Sequence, residues 1–287
     1  RMAADILRAL VRLDALPERY CVIELSAELA ARQQERIARL PRALSERVVW
    51  LDRWPGEAAQ GVILANEVLD ALPCQRFALC GGVARALGVS VAADGTFCEA
   101  EQPADARLAA ACEAVLRDLP GPLPDGYRSE LNLRVGPWIR TLADGLGRGV
   151  VLLFDYGLPR AHYYHPQRAS GTLWCHFKHR AHGDPFIQAG VQDITAWVDF
   201  TRVAEGADSA GLDVLGFATQ AAFLLGTDIE ALAAEPADPR EHARVAGEAR
   251  RLLLPGEMGE AFKVMALGRG YDAPLAGFAH QDLRASL

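Results

Sequence analysis

The chain has 287 residues, 51% of them hydrophobic and 23% charged, with a formal charge of -7. That balance excludes disorder as the main theme and general binding to phosphate backbones, which needs clustered Lys and Arg. The longest apolar runs, Gly149–Phe154 and Gly61–Ala65, fall far short of the ~20 residues of a membrane span. Nothing at the front has the pattern of a signal peptide. Six scattered cysteines without a CxxC pair fit a reduced, intracellular setting.

Arg1–Leu13 places Met2, Ile6, Leu7, Leu10 and Val11 at helical spacing, with no Ser, Thr or Asp before it as a cap. The chain is therefore expected to open inside a longer fold. Tyr20–Leu25 reads as a buried strand, Ala27–Leu40 as a helix, and Arg47–Leu51 and Gly61–Ala65 as two more strands. Nearly continuous apolar strands alternating with helices predict a parallel sheet covered on both faces. Cys74–Leu79, Arg85–Val91 and Thr96–Glu99 then read as short strands joined at Gly81-Gly82 and Asp94-Gly95. This is hairpin chemistry and predicts an inserted antiparallel meander, at about residues 74–128. Arg107–Leu119 and Asn132–Leu146 read as helices, and Gly149–Phe154 as a buried strand. The polar, His-rich stretch Leu158–Gln192 reads as a long loop or lid. Asp193–Ala204, Thr219–Leu232 and Ala237–Leu253 read as helices, the first capped by Asp193. Leu212–Phe217 and Ala261–Leu267 read as the last strands.

Glu24 closes the first visible strand. In nucleotide-binding α/β folds an acid at that place accepts ribose hydroxyls; a plain surface acid is the other reading. Gly145-Leu146-Gly147-Arg148-Gly149 follows a helix and precedes a strand, the reverse of a cofactor loop, so it reads as a helix C-cap and strand entry. A genuine Gly-rich loop is expected upstream of Arg1. Asn66, Glu67 and Asp70 follow the third strand, along the sheet edge where ligands of open α/β sheets bind. Capping of a following helix by Asn66 is the competing reading. Cys175, His176, His179 and His182 carry donors suited to zinc, but they sit in one predicted loop instead of two tightly spaced pairs. Asp199, between Val198 and Phe200, is an acid in an apolar stretch and a candidate pocket residue. The sequence holds no GxSxG elbow and no GxxxxGK[ST] loop.

The blocks Tyr20-x-x-Ile23-Glu24-x-Ser26-x-x-Leu29, Ala65-Asn66-Glu67-x-x-Asp70-Ala71-x-Pro73, Asp155-Tyr156-Gly157, Gly171-Thr172-Leu173, Asp193-Ile194-Thr195-x-x-Val198-Asp199-Phe200 and Pro255-Gly256-x-Met258-Gly259-Glu260-x-Phe262-Lys263-Val264 resemble the MidA-like methyltransferases. That family includes a mitochondrial complex I assembly factor that methylates a protein arginine. The resemblance implies one Rossmann-like α/β methyltransferase domain over residues 1–287, without its first strand and Gly-rich loop, using S-adenosyl-L-methionine. It implies a protein acceptor related to a respiratory complex I subunit, and a bacterial cytoplasm or mitochondrial matrix as the setting. Carried onto this sequence, it places Glu24 on the ribose, with Ser26 beside it. The Trp50-Leu51-Asp52 turn would flank the adenine, with Asp52 a candidate for its exocyclic amine, and Asn66 would lie near the methionine end. Glu67, Asp70, Asp155 and Asp199 would line the acceptor site, where carboxylates orient a guanidinium and take its proton. No metal is expected. A non-catalytic assembly factor that keeps the fold is the rival expectation, and a small-molecule methyltransferase is a third.

Overall fold

A computed structural model describes residues 1–55, 58–178 and 180–287. The chain divides into two compact units, Arg1–Ala58 and Ala59–Leu287.

In the first unit, α1 (Met2–Arg12) precedes β1 (Tyr20–Ile23), α2 (Ala27–Ile37), a short α3 (Arg42–Ser45) and β2 (Val48–Leu51). The strands run parallel in a register that sets Tyr20 beside Val48 and Ile23 beside Leu51. Ala4 and Leu7 from α1, Ile37, Leu40, Leu44 and Val48 form the core of this unit. Burying a side chain such as Leu7 contributes roughly 1.5–3 kcal/mol. Ser26 starts α2 as its N-cap, accepting from Leu29 N, so a hydroxyl satisfies one of the four amides that a helix start leaves unpaired.

The second unit opens with β3 (Ala59–Asn66). β4 (Gln75–Cys80), β5 (Val83–Val91) and β6 (Phe97–Pro103) follow, then α4 (Ala106–Asp118) and β7 (Arg128–Leu131). β4 to β7 form an antiparallel four-stranded sheet in the order β6-β5-β4-β7. Its turns fall at the expected glycines: Gly81, Gly82 and Gly95 all have positive φ. Asp105 caps α4 by accepting from Leu108 N. Phe77 and Leu79 from β4, Leu108, Cys112 and Val115 from α4, Tyr127, and Leu131 from β7 share one core with Tyr163 and Tyr164.

Next come α5 (Val135–Gly145), β8 (Leu146–Leu158), α6 (Arg160–Tyr163), β9 (Trp174–Phe177), β10 (Arg180–His182), β11 (Asp193–Thr195) and β12 (Val198–Asp199). After these lie α7 (Phe200–Ser209), β13 (Asp213–Thr219), α8 (Gln220–Leu225), α9 (Ile229–Ala234), α10 (Pro239–Leu253), α11 (Met258–Ala261) and β14 (Phe262–Arg269). β8 is the spine of this unit. β3 and the short β12 run parallel to it, whereas β14 is antiparallel to it and to β13. The sheet is thus mixed, not wholly parallel. The Gly145–Gly149 segment is the end of α5 and the entry to β8, as expected. Gly149, with φ 141°, lies so close to Gly61 that an added Cβ would overlap the Gly61 carbonyl.

Other sequence expectations change as well, and the helix expected over Thr219–Leu232 is two, α8 and α9. The segment 158–192 is not a polar loop throughout: Tyr163 and Tyr164 are core residues, and β9 pairs with β10 and β11 in a small antiparallel sheet. Asp193 starts no helix. It belongs to β11 opposite His176, and the helix begins six residues later, with Asp199 as N-cap accepting from Arg202 N. The Arg269 guanidinium donates to the carbonyls of Ala143, Leu146 and Ala210, tying the ends of α5 and α7 to β14.

Candidate functional site

In the first unit, Glu24, Leu51 and Asp52 stand at one sheet edge, because Ile23 and Leu51 are partners in the parallel pair. Glu24 is half-buried. Its Oε1 accepts from Ser26 N at 2.9 Å and its Oε2 from Gln33 Nε2 at 2.9 Å. Gln33 Oε1 in turn accepts from Trp50 Nε1 at 3.0 Å. An ionised carboxylate offers about four acceptor sites, so one remains on each Glu24 oxygen. Two adjacent acceptors fit the two hydroxyls of a ribose, and on this observation the edge suits a nucleoside cofactor. The Ser26 hydroxyl is committed to its helix cap, while its backbone N–H holds Glu24. Asp52 is exposed and Leu51 half-buried.

In the second unit, the end of β3 meets the middle of β8. Asn66 is the register partner of Phe154, and Glu67 N donates to Phe154 O at 2.9 Å. Residues 67–74 form turns and loop, so Asn66 caps no helix there; its Nδ2 donates to Glu67 Oε1 at 3.1 Å. Glu67 is exposed and has φ 50°. A non-glycine residue in the left-handed region is uncommon, costs about 1 kcal/mol or more, and is concentrated at functional sites.

Asp70 and Asp155 are 5% and 1% exposed. Asp155 Oδ2 accepts from Leu69 N at 2.9 Å and from Asp70 N at 3.2 Å, and Oδ1 accepts from Tyr156 N at 3.0 Å. Asp155 therefore organises the turn that carries Asp70. The Tyr156 hydroxyl donates to Asp70 Oδ2, and Asp70 Oδ1 has no partner among the described residues. A buried acceptor without a donor costs free energy, and it is a place where an incoming N–H group gains the bond. Burial, joined by the charge of Asp70, pushes the Asp155 carboxyl up to about 8. Burial also raises Asp70, against the hydrogen bond from Tyr156.

Asp199 lines a small cavity with Leu69 and Trp197 and is also tied into the fold. It is buried, caps α7, and pairs through Oδ2 with Arg160 Nε at 3.4 Å. That guanidinium also donates to Asp118 at 2.8 Å and to Glu205 at 2.6 Å. Cys175 and His182 are cross-strand partners, whereas His176 pairs with Asp193 and Ala181. Strand alternation thus puts His176 on the face opposite Cys175. His179 lies outside the described residues, and no cluster of His, Cys, Asp and Glu that could hold a metal occurs among the described ones.

Sequence reasoning missed three groups. Tyr156 lay in a recognised block, but its role needs the Asp70 turn across the fold. Glu130, 1% exposed, accepts from Thr172 N at 2.7 Å and Thr172 Oγ1 at 3.1 Å; its signal was an acid in a short strand, too weak to find. Lys263 stands opposite Asp155 in register, and burial lowers its ammonium to about 8. It stood in the last of the recognised blocks, as a lysine between Phe262 and Val264, but was given no role.

The chain is similar to several known proteins. A Burkholderia thailandensis protein of known structure is 40% identical and superposes with a TM-score of 0.92, covering 99% of this chain and 75% of its own. A second Burkholderia thailandensis structure, bound to S-adenosyl-homocysteine, is also 40% identical, with a TM-score of 0.91 over 99% of this chain and 73% of that one. The mitochondrial protein arginine methyltransferase NDUFAF7 homologue of Drosophila melanogaster is 27% identical over 97% of this chain and 68% of its own length. Residues 1–218 match the family described as "Putative S-adenosyl-L-methionine-dependent methyltransferase", and the chain belongs to that family, with S-adenosyl-L-methionine as its cofactor.

Proposed function

We propose that the chain transfers a methyl group to the guanidinium of an arginine in a polypeptide. The observation that carries this reading is the buried Asp70 carboxylate, which has Tyr156 on one oxygen and, among the described residues, no partner on the other. The printed activity of the Drosophila relative supports the same acceptor class. The cofactor supplies the methyl group on a sulfonium. Glu24, Leu51 and Asp52 are the residues of the first unit that would hold its nucleoside, and Asn66 would hold its amino-acid end. The reading treats residues 1–287 as one methyltransferase domain, with the sheet at about 74–128 as an insertion and part of 158–192 as a lid. A bacterial cytoplasm or a mitochondrial matrix is its natural setting.

A guanidinium stays protonated in water, its pKa lying above ~12. One nitrogen becomes nucleophilic only when the charge is drawn to the others and the proton has somewhere to go. Asp70 Oδ1 would accept from the guanidinium, and Glu67 at the rim would take a second N–H. Tyr156 keeps Asp70 in one rotamer, and Asp155 keeps the turn beneath it. The proton lost on methylation passes to Asp70, whose raised pKa makes it a better base than a solvated carboxylate. In-line transfer depends on atoms held in alignment, so this backbone-anchored carboxylate serves orientation as well as proton transfer.

Labelled S-adenosyl-L-methionine, an arginine-bearing protein fraction and mass spectrometry of the product test the reading. Methylarginine is expected, with Asp70→Asn slowing transfer about 100-fold, the lower range of acid–base effects. Methyl groups on another residue type, or full activity in both Asp70→Asn and Glu67→Gln, would overturn it. Cofactor binding without transfer to any acceptor would favour a scaffold that keeps the fold.

A further inference from the structure

We infer that Gln33 and Trp50 form a relay that sets how Glu24 presents its carboxylate to a vicinal diol, making Gln33 the positioning residue of the cofactor's ribose. The inference rests on the reading of Glu24 as the ribose acceptor and goes one layer beneath it.

The relay has a fixed polarity. An indole N–H can only donate, so the atom of Gln33 facing Trp50 must be the carbonyl Oε1. With Oε1 held at 3.0 Å by Trp50 Nε1, the amide has one orientation left, and its Nε2 faces Glu24 Oε2 at 2.9 Å. Without the indole, the amide could rotate and turn Oε1 toward a carboxylate, where lone pairs repel. Trp50 is well placed for this work, because it packs against the core around Leu7 and Val48 and follows Val49 in a paired strand. Gln33 lies in the middle of α2, not at a frayed end. The other Glu24 oxygen is held by the N–H of Ser26, the residue that caps the same helix. The carboxylate is therefore pinned once on each oxygen from its own unit, and each oxygen keeps one acceptor position. This arrangement selects two adjacent hydroxyl donors and disfavours an anionic group such as a ribose phosphate.

None of Gln33, Trp50 or the Ser26 amide needs to touch the ligand. Their effect should appear in how strongly binding depends on the diol, not in binding as a whole.

Calorimetric titration of the full chain with S-adenosyl-homocysteine and with its 2′-deoxy counterpart tests this directly. The wild type should prefer the diol form about tenfold, the size expected when a hydrogen bond to a charged group is lost. Gln33→Met, which keeps the length of the side chain and removes its polar atoms, should weaken the diol form about tenfold and leave the deoxy form nearly unchanged. The preference then collapses. Trp50→Phe should reduce the preference a few-fold while Gln33 remains, and it serves as the second test if Gln33→Met folds poorly. Gln33→Glu should bind the diol form poorly near neutral pH and recover as the pH is lowered toward 5, because two carboxylates then cease to repel. A preference that persists in both Gln33→Met and Trp50→Phe, yet disappears in Glu24→Gln, would overturn the relay and leave Glu24 as the ribose acceptor. No preference in the wild type would overturn both.

Discussion

Glu67 shows what a single residue contributes and what it costs. It stands at φ 50°, exposed, one residue beyond a strand whose last member is paired with Phe154. Glycine adopts that backbone freely, whereas glutamate is strained by roughly 1 kcal/mol. Glu67→Gly should therefore unfold at the same temperature as the wild type or slightly higher. Its methyl-transfer rate should fall at least tenfold, because the rim loses a carboxylate. Parallel thermal melts and rate assays would show whether the two properties separate. A lower melting temperature would mean that the side chain supports the turn, and its strain would then have a structural explanation. Glu67, Asp70 and Asp155 were legible as candidates, because acids after apolar strands are visible in a linear string. Tyr156 was not assigned, because its hydroxyl acquires meaning only when β8 lies beside the turn after β3.

At the scale of elements, Arg160 is the most informative connector. Its guanidinium, 7% exposed, joins Asp118 at the end of α4, Asp199 at the start of α7 and Glu205 within α7. Only Asp199 among the three acids is buried to the same degree, since Asp118 and Glu205 are about half exposed. Arg160→Met leaves a buried carboxylate without its cation and should cost about 3 kcal/mol or more. Asp118→Asn should cost about 1 kcal/mol or less, because solvent screens that arm. Urea midpoints of the two variants measure the contrast, and equal losses would contradict this division of burial. An acid between Val198 and Phe200 was conspicuous in the sequence, whereas its arginine, 39 residues away, was not.

Hairpins were legible because Gly81-Gly82 and Asp94-Gly95 specify their turns locally. The strand Arg128–Leu131 was not, since it carries a charged residue at Arg128 and a buried acid at Glu130, whose partners Glu99 and Arg76 lie on other strands. Asp193 looked like a helix start because Ile194, Trp197 and Val198 have helical spacing. Its actual partner, β9, is outside any local window.

Across the whole molecule, acid titration provides the broadest test. Burial first, and the charge of Asp70 second, raise the Asp155 carboxyl to about 8, whereas an unfolded aspartate titrates near ~3.9. The folded chain then binds that proton more tightly than the unfolded chain. The contribution of Asp155 to stability is complete below about pH 4 and is lost as pH rises through about 8. Denaturation midpoints measured across this window should fall with pH on this account, and Asp155→Asn should flatten that component. The transfer rate should move in the opposite sense and rise toward pH 8, because an ionised Asp155 beside Asp70 makes Asp70 a stronger base for the guanidinium proton. A rate that declines over the same interval would remove the pair from proton transfer.

The thirteen-residue β8, flanked by β3, β12 and β14, has a consequence for motion. Amides that exchange with solvent only on global unfolding should be concentrated along Val150–Phe154, where strands lie on both sides. Those of the turn around Glu67 to Leu72 should exchange through local opening. The two carboxylates of the candidate site would then sit on either side of a boundary between slow and fast exchange: Asp155 fixed to the stable strand, and Asp70 carried on a segment that can open to admit a side chain from another polypeptide.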